Sequence, residues 1–232
     1  MGDEPLRYEL RDDVALLHMD DGKANALSPG MIQGLNALLD RAEDTARAVL
    51  WLGRPGRFCA GFDLAVMRSG PAAVRGLVGA GAELFVRLLG YPRPVVVACT
   101  GHALAAGALA LLAADARLGA RGDFKIGLNE VAIGMTLPIF GVELARLRLS
   151  KRHFARATAQ AEIYAPEPAV DAGFLDRVVE PAALLEASLG EARRLAALSP
   201  RGFAETKRRV NEPTAVRIRE TLEGDLAGFT GL

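Results

Sequence analysis

The chain has 232 residues, half of them hydrophobic, with Lys+Arg and Asp+Glu at 28 each and only two cysteines. That neutral balance leaves no electrostatic footprint for nucleic acid or an anionic membrane surface, and no segment approaches the roughly 18–20 apolar residues of a membrane span. Cys59 and Cys99 form no CxxC pair, which argues against a disulfide framework and makes a reducing cytosol the expected setting.

The opening "MGDEPLRYEL" is charged and has no apolar stretch of the kind a signal peptide needs. Val14 to Met19, "VALLHM", reads as a strand closed by the acidic turn Asp20-Asp21-Gly22. Ser28-Pro29 has the form of a helix start, with serine as N-cap and proline at the first helical position. Met31, Leu35, Leu38, Leu39 and Ala42 follow at helical spacing and define its buried face. Ala48 to Leu52, "AVLWL", is a second strand, and the glycines and proline between Gly53 and Gly61 predict a loop.

Helical spacing returns from Pro71 to Leu89. Pro92 and Pro94 end it and introduce a third strand, Val95 to Cys99. Ala103 to Ala114, "ALAAGALALLAA", is apolar all round and too short to span a membrane, so it predicts a buried helix. Arg117 to Ile126 has room for short strands. Pro138 to Ala159 is helical and basic, and Ala169 to Glu180 predicts a helix end, a turn and a strand. Three helices are expected after that, Pro181 to Leu198, Pro200 to Val210 and Thr214 to Phe229. Strands alternating with helices, then helices alone, predict an α/β fold with a helical C-terminal extension.

Three places have the composition of a reactive site. Phe58-Cys59-Ala60-Gly61-Phe62-Asp63-Leu64 runs from a glycine-rich loop toward a helix start, where outward amide N–H groups can hold developing negative charge. By itself it reads first as an ordinary strand-to-helix loop. Gly101 to Gly107, "GHALAAG", repeats the arrangement with small residues that let another molecule approach the backbone, or that serve close helix packing. The third is Glu130, the one carboxylate in "IGLNEVAIG". Apolar surroundings raise a carboxyl pKa and make it a stronger proton acceptor; a partly exposed loop glutamate would fit the same residues. No phosphate-binding loop, GxSxG or metal-ligand cluster is present, so no metal is expected, and "GAGAEL" at Gly79 reads as helix packing.

In this order, "KANALS" (Lys23–Ser28), "RFCAGFDL" (Arg57–Leu64), "YPRPVVVACTGHALAAGAL" (Tyr91–Leu109), "IGLNEVAIGMTLP" and "AVDAGFLDRVVE" resemble the enoyl-CoA hydratase/isomerase, or crotonase, family. The resemblance implies a spiral of ββα turns in residues 1–180 carrying an acyl-CoA site, and a helical C-terminal region, 181–232, that builds a homotrimer or dimer of trimers. It implies an acyl-CoA substrate and no cofactor beyond the coenzyme A that the substrate carries. The two oxyanion donors of the family map onto the N–H groups of Phe62 and Ala106. The CoA path maps onto Lys23, Ala24 and Ala26, and onto Ala60, Gly61, Asp63 and Leu64. Of the hydratases' two glutamates, the first matches Leu109, which transfers no proton, and the second matches Glu130. The "GLNE" wording resembles the single-glutamate Δ3,Δ2-enoyl-CoA isomerases. The expectation is therefore an isomerase with Glu130 as proton shuttle; a hydratase and a catalytically silent acyl-CoA-binding protein are the alternatives. Pocket walls are expected from Met67 to Leu84 and Leu137 to Phe140, with Phe229 on a helix that caps this site or a neighbour's.

Overall fold

The structure is a computed structural model and describes residues 4–229. Expectations for 1–3 and 230–232 lie outside the described residues. Strands β1 (Leu6–Arg11) and β2 (Val14–Met19) form a hairpin, followed by α1 (Pro29–Thr45). Three successive units then each place two strands before helical structure. The first is β3 (Ala48–Leu52) and β4 (Gly56–Cys59) with α2 (Leu64–Met67) and α3 (Pro71–Gly90). The second is β5 (Val95–Cys99) and β6 (Gly101–Leu104) with α4 (Ala106–Ala113). The third is β7 (Ala116–Ala120) and β8 (Ile126–Gly127), a 3₁₀ turn at Val131–Ile133, and α5 (Ile139–Arg148). The chain finishes with α6 (Lys151–Ala157), α7 (Pro166–Ala172), β9 (Arg177–Val179), α8 (Leu184–Ala196) and α9 (Pro200–Ala227).

The first strand of each unit enters a six-stranded sheet of order β1-β2-β3-β5-β7-β9, and the second enters a three-stranded sheet, β4-β6-β8. Apart from the β1–β2 hairpin, every pairing between these strands is parallel. The large sheet is covered on both faces. Leu17, Val49, Trp51 and Val97 turn toward α1, α3 and α4, while Leu16, Leu50, Val96 and Leu118 turn toward Leu189 and Ala192 of α8. Burial on both faces is why these strands read as unbroken apolar runs. Ser28 does cap α1: its hydroxyl oxygen accepts from the Met31 N–H at 3.1 Å.

Several expectations are corrected. Gly53–Gly61 contains strand β4, and "ALAAGALALLAA" is divided. Ala103 and Leu104 belong to β6, and the helix begins only at Ala106. The cause is backbone proximity. A Cβ on Gly101 would lie 2.0 Å from the Gly56 carbonyl carbon, so β6 is drawn flat against β4. The basic helical stretch from Pro138 is two helices, α5 and α6. The two helices expected after Pro200 are one, running through Pro213. Contacts on both sides of the proline hold it. Before it, Lys207 Nζ donates to Asp115 at 2.6 Å and Asn211 Nδ2 to the Leu89 carbonyl at 2.9 Å. After it, Ala215 and Ile218 are buried. Tertiary packing thus outweighs the hydrogen bond that proline removes.

Candidate active site

The parallel strands of the small sheet deliver three loops to the same end: Ala60–Phe62 after β4, Ala105–Ala106 after β6, and Leu128–Glu130 after β8. Glycine makes their approach possible. Gly61 has φ +106°, and a Cβ there would sit 3.0 Å from Ala105 Cβ and 3.7 Å from Ala106 N. A Cβ on Gly107 would sit 2.2 Å from the Cys59 carbonyl oxygen, so the first turn of α4 rests on the backbone of β4. Between them Ala105 takes φ +50°, unusual for an L residue, and turns the chain into α4.

The Ala60–Asp63 loop is itself clamped. Ala60 N–H donates to Ala24 O at 3.1 Å, Leu27 N–H to Gly61 O at 2.8 Å and Asp63 N–H to Leu27 O at 3.1 Å. The Phe62 ring packs on α3, where a Cβ on Gly81 would meet it at 2.4 Å. With its neighbours so engaged, the Phe62 N–H has no acceptor among the described residues; nor does that of Ala106, the first residue of α4. Two free amides on touching loops can receive an oxygen that becomes negative.

Glu130 heads the 3₁₀ turn, and its carbonyl oxygen accepts from the Ile133 and Met135 N–H groups at 3.1 and 2.9 Å. The residue is only 7 % exposed, and its Oε2 has no hydrogen-bond partner. Burial pushes its pKa up to about 7 from an ordinary 4.5; the hydrogen bond from its own backbone N–H opposes this weakly. It faces a cavity of about 230 Å³ lined also by Ala60, Phe62, Ala105 and Leu109. Leu64, Met67, Val78, Pro138 and Phe229 lie on the apolar side of its wall.

The structure thus brings Glu130, Phe62, Ala60, Leu64 and Leu109 to one chamber, with Gly61 and Ala106 directly behind it. Asp63 does something more local: its carboxylate accepts from the Ala65 N–H at 2.8 Å and caps α2. Lys23, Ala24 and Ala26 run beside the Ala60–Asp63 loop without entering the cavity wall, and Arg54 ties the Lys23 carbonyl in place at 3.0 Å. Met67, Val78 and Pro138 come from the expected wall segments, and Phe229 reaches the chamber of its own chain. Asn129, Ile133 and Met135 were not expected there. They sit in an irregular turn, which has no periodicity to read.

Other reactive candidates drop out. Burial pushes the Cys59 and Cys99 thiols up to about 12, so neither supplies a thiolate. His102 Nδ1 accepts the Lys125 N–H at 2.9 Å, a structural bond. His153 is half-buried, and its Nδ1 lies 3.2 Å from the Tyr164 hydroxyl. No cluster of three metal-ligating side chains occurs among the described residues. No helix among them is long and apolar enough to cross a membrane.

Comparison with known proteins agrees with this architecture. The enoyl-CoA hydratase/isomerase family profile matches residues 9–231. Human mitochondrial enoyl-CoA delta isomerase 1 is 28% identical over 222 residues, covering 93% of this chain and 73% of the human protein. The crystal structure of the human mitochondrial Δ3-Δ2-enoyl-CoA isomerase superposes with a TM-score of 0.93 at 27% identity, covering 97% of this chain and 90% of that one. An enoyl-CoA hydratase/isomerase family protein from Pseudomonas syringae is 43% identical, with a TM-score of 0.95 and coverage of 97% and 98%. A Mycobacterium tuberculosis structure described as an enoyl-CoA isomerase is 40% identical, with a TM-score of 0.93 and coverage of 99% and 100%. By profile, sequence and fold, the chain belongs to the enoyl-CoA hydratase/isomerase family and has its crotonase fold.

Proposed function

We propose that this enzyme is a Δ3,Δ2-enoyl-CoA isomerase in which Glu130 alone moves the proton. The observation that carries the reading is that, among the described residues, the cavity wall has a single titrating side chain, buried, unpartnered at Oε2 and with a pKa near 7, and shares that wall with a leucine at position 109. A 3-enoyl thioester enters with its carbonyl oxygen between the N–H groups of Phe62 and Ala106. Glu130 takes a proton from C2, and the electron pair spreads into a dienolate whose oxygen those amides hold. Each donor contributes about 3 kcal/mol to the transition state. Neutral Glu130 then returns the proton at C4, giving the 2-enoyl thioester. Acid and base act in turn on one face, so Leu109 needs no proton.

The CoA moiety runs along Lys23–Ala26 and Ala60–Leu64 in this reading. Residues 1–180 are the site-bearing core and 181–232 the assembly region in this reading, with Phe229 of the second also lining the chamber. Exposed Leu198, Val210 and Val216 give the C-terminal helical region an apolar surface consistent with a homotrimer or dimer of trimers. Two free, buried cysteines suit a cytoplasmic enzyme.

The test is a side-by-side assay of 3-hexenoyl-CoA isomerisation and crotonyl-CoA hydration across pH. Glu130 must be ionised to accept the proton, so kcat for isomerisation should rise with pH and level off above about 7. Isomerisation should be the faster reaction. Hydration without isomerisation would make the enzyme a hydratase, and thioester binding without either reaction would make it a silent binding protein.

A further inference from the structure

The chamber wall differs from one end to the other. Leu64 and Ile133 are exposed and mark its rim, while Met67, Val78 and Leu109 are buried and mark its inner end. Phe229 joins this wall from just beyond the end of α9, and its ring is partly buried against the core. Two contacts fasten the turn of α9 that precedes it. A Cβ on Gly79, next to Val78, would lie 3.1 Å from Leu226 Cδ1, so α9 ends close against α3. The Asp225 carboxylate accepts from the Ile139 N–H at 2.7 Å. Ile139 opens α5 directly after Pro138 of the chamber wall. Proline has no side-chain oxygen to cap that helix, so α9 supplies the acceptor from outside. The carboxylate also meets the positive end of the α5 dipole.

The chamber has a volume of about 230 Å³. At about 30 Å³ per non-hydrogen atom, the volume of a water in the liquid, it holds about seven or eight atoms: the thioester C=O and about five or six further carbons. We infer, resting on the thioester site proposed above, that Phe229 sets the acyl-chain length this enzyme accepts and that Asp225 holds Phe229 in place through α5. The substrate class is then a 3-enoyl thioester of about six carbons. A longer tail meets the Phe229 ring, and to pass it the last turn of α9 must leave α3 and α5. The longer substrate loses the Asp225–Ile139 bond and the Leu226 packing, which the shorter one keeps. Phe229 is the specificity-determining residue. Asp225 touches no substrate in this scheme and is a positioning residue.

The experiment compares kcat/KM for isomerisation of 3-hexenoyl-CoA and 3-dodecenoyl-CoA in wild type, Phe229→Ala, Asp225→Ala and Asp225→Asn. Wild type should favour the shorter chain. In Phe229→Ala the ratio of long to short should rise by about tenfold or more, through KM for the long chain rather than kcat. Asp225→Ala should move the ratio the same way by about threefold or more, while Asp225→Asn, whose amide oxygen can still accept from Ile139, should stay near wild type. Phe229→Leu gives a smaller shift of the same sign should alanine loosen the helix end. A wild type that handles both chains equally well, or a ratio unchanged in Phe229→Ala, overturns the proposal. Equal losses for both chains in Asp225→Ala overturn the positioning role of that residue. Calorimetric titration with hexanoyl-CoA and dodecanoyl-CoA, which have no double bond to move, reads the same ratio as Kd. A ratio that depends on Phe229 there, without isomerisation of either enoyl thioester, supports the chain-length role and ends the isomerase reading. Isomerisation of both chains with a ratio independent of Phe229 does the reverse.

Discussion

Glu130→Gln should lose about 10²–10⁴-fold in kcat for isomerisation while KM for the thioester stays nearly constant. Glutamine keeps the shape of the side chain and its place in the 3₁₀ turn, because the turn is held by the Glu130 carbonyl oxygen and not by the carboxylate. What disappears is the only titrating group on the cavity wall among the described residues. The same variant should be more stable than wild type at pH 8. The folded-state pKa of Glu130 is raised from 4.5 to about 7, so between those values the folded protein binds more protons than the unfolded chain. Its stability therefore falls as pH rises through that window, and the loss is complete above about 7. Removing the buried charge should recover about 1–3 kcal/mol at pH 8, seen as a higher Tm, with no gain at pH 4. A variant that is inactive and more stable is what a desolvated base predicts. A glutamate that merely held the fold together would give the opposite stability change.

Gly107→Ala should give the second large effect. The added Cβ would lie 2.2 Å from the Cys59 carbonyl oxygen, 2.8 Å from its carbonyl carbon and 2.9 Å from Cys59 Cβ. Backbone lies on one side and a helix on the other, so no flexible side chain can give way. Such overpacking costs about 3 kcal/mol or more, which in a protein of this size lowers Tm by roughly 6–12 °C. Relief requires α4 to move off β4, and that movement carries the Ala106 N–H away from the Phe62 loop. Activity should fall beyond what the loss of folded protein accounts for. Gly190→Ala in α8 is the control. It is exposed in mid-helix, nothing lies within 4 Å of the new Cβ, and it should stabilise by about 0.5–1 kcal/mol. Equal Tm values for the two variants would contradict the close-approach account of Gly107.

Sequence patterning made β3 and β5 legible because strands buried on both faces have no polar position to interrupt them, and β2 because only His18 breaks its apolar run. The cap at Ser28 and the helix behind it were legible for a local reason, a side chain bonding three residues ahead. The small sheet was not. Strand β4 has four residues and β8 has two, shorter than any period can register, and both depend on partners remote in sequence. Pro213 misled because a local rule about a missing N–H was outweighed by contacts of Lys207 and Asn211 with other segments. At the site, Glu130 stood out because a carboxylate among apolar residues is conspicuous at one glance. The amides of Phe62 and Ala106 carry no side-chain signal, and the family resemblance supplied them.

The account's central claim is that one buried carboxyl lifts a proton from C2 and sets it down at C4. The most direct test is isomerisation of 3-hexenoyl-CoA deuterated at both C2 positions, run in ordinary water and read by NMR of the product. Because Glu130 is only 7 % exposed, deuterium should appear at C4 in the wild-type product. A product whose C4 carries only solvent hydrogen from the first turnover would contradict the account.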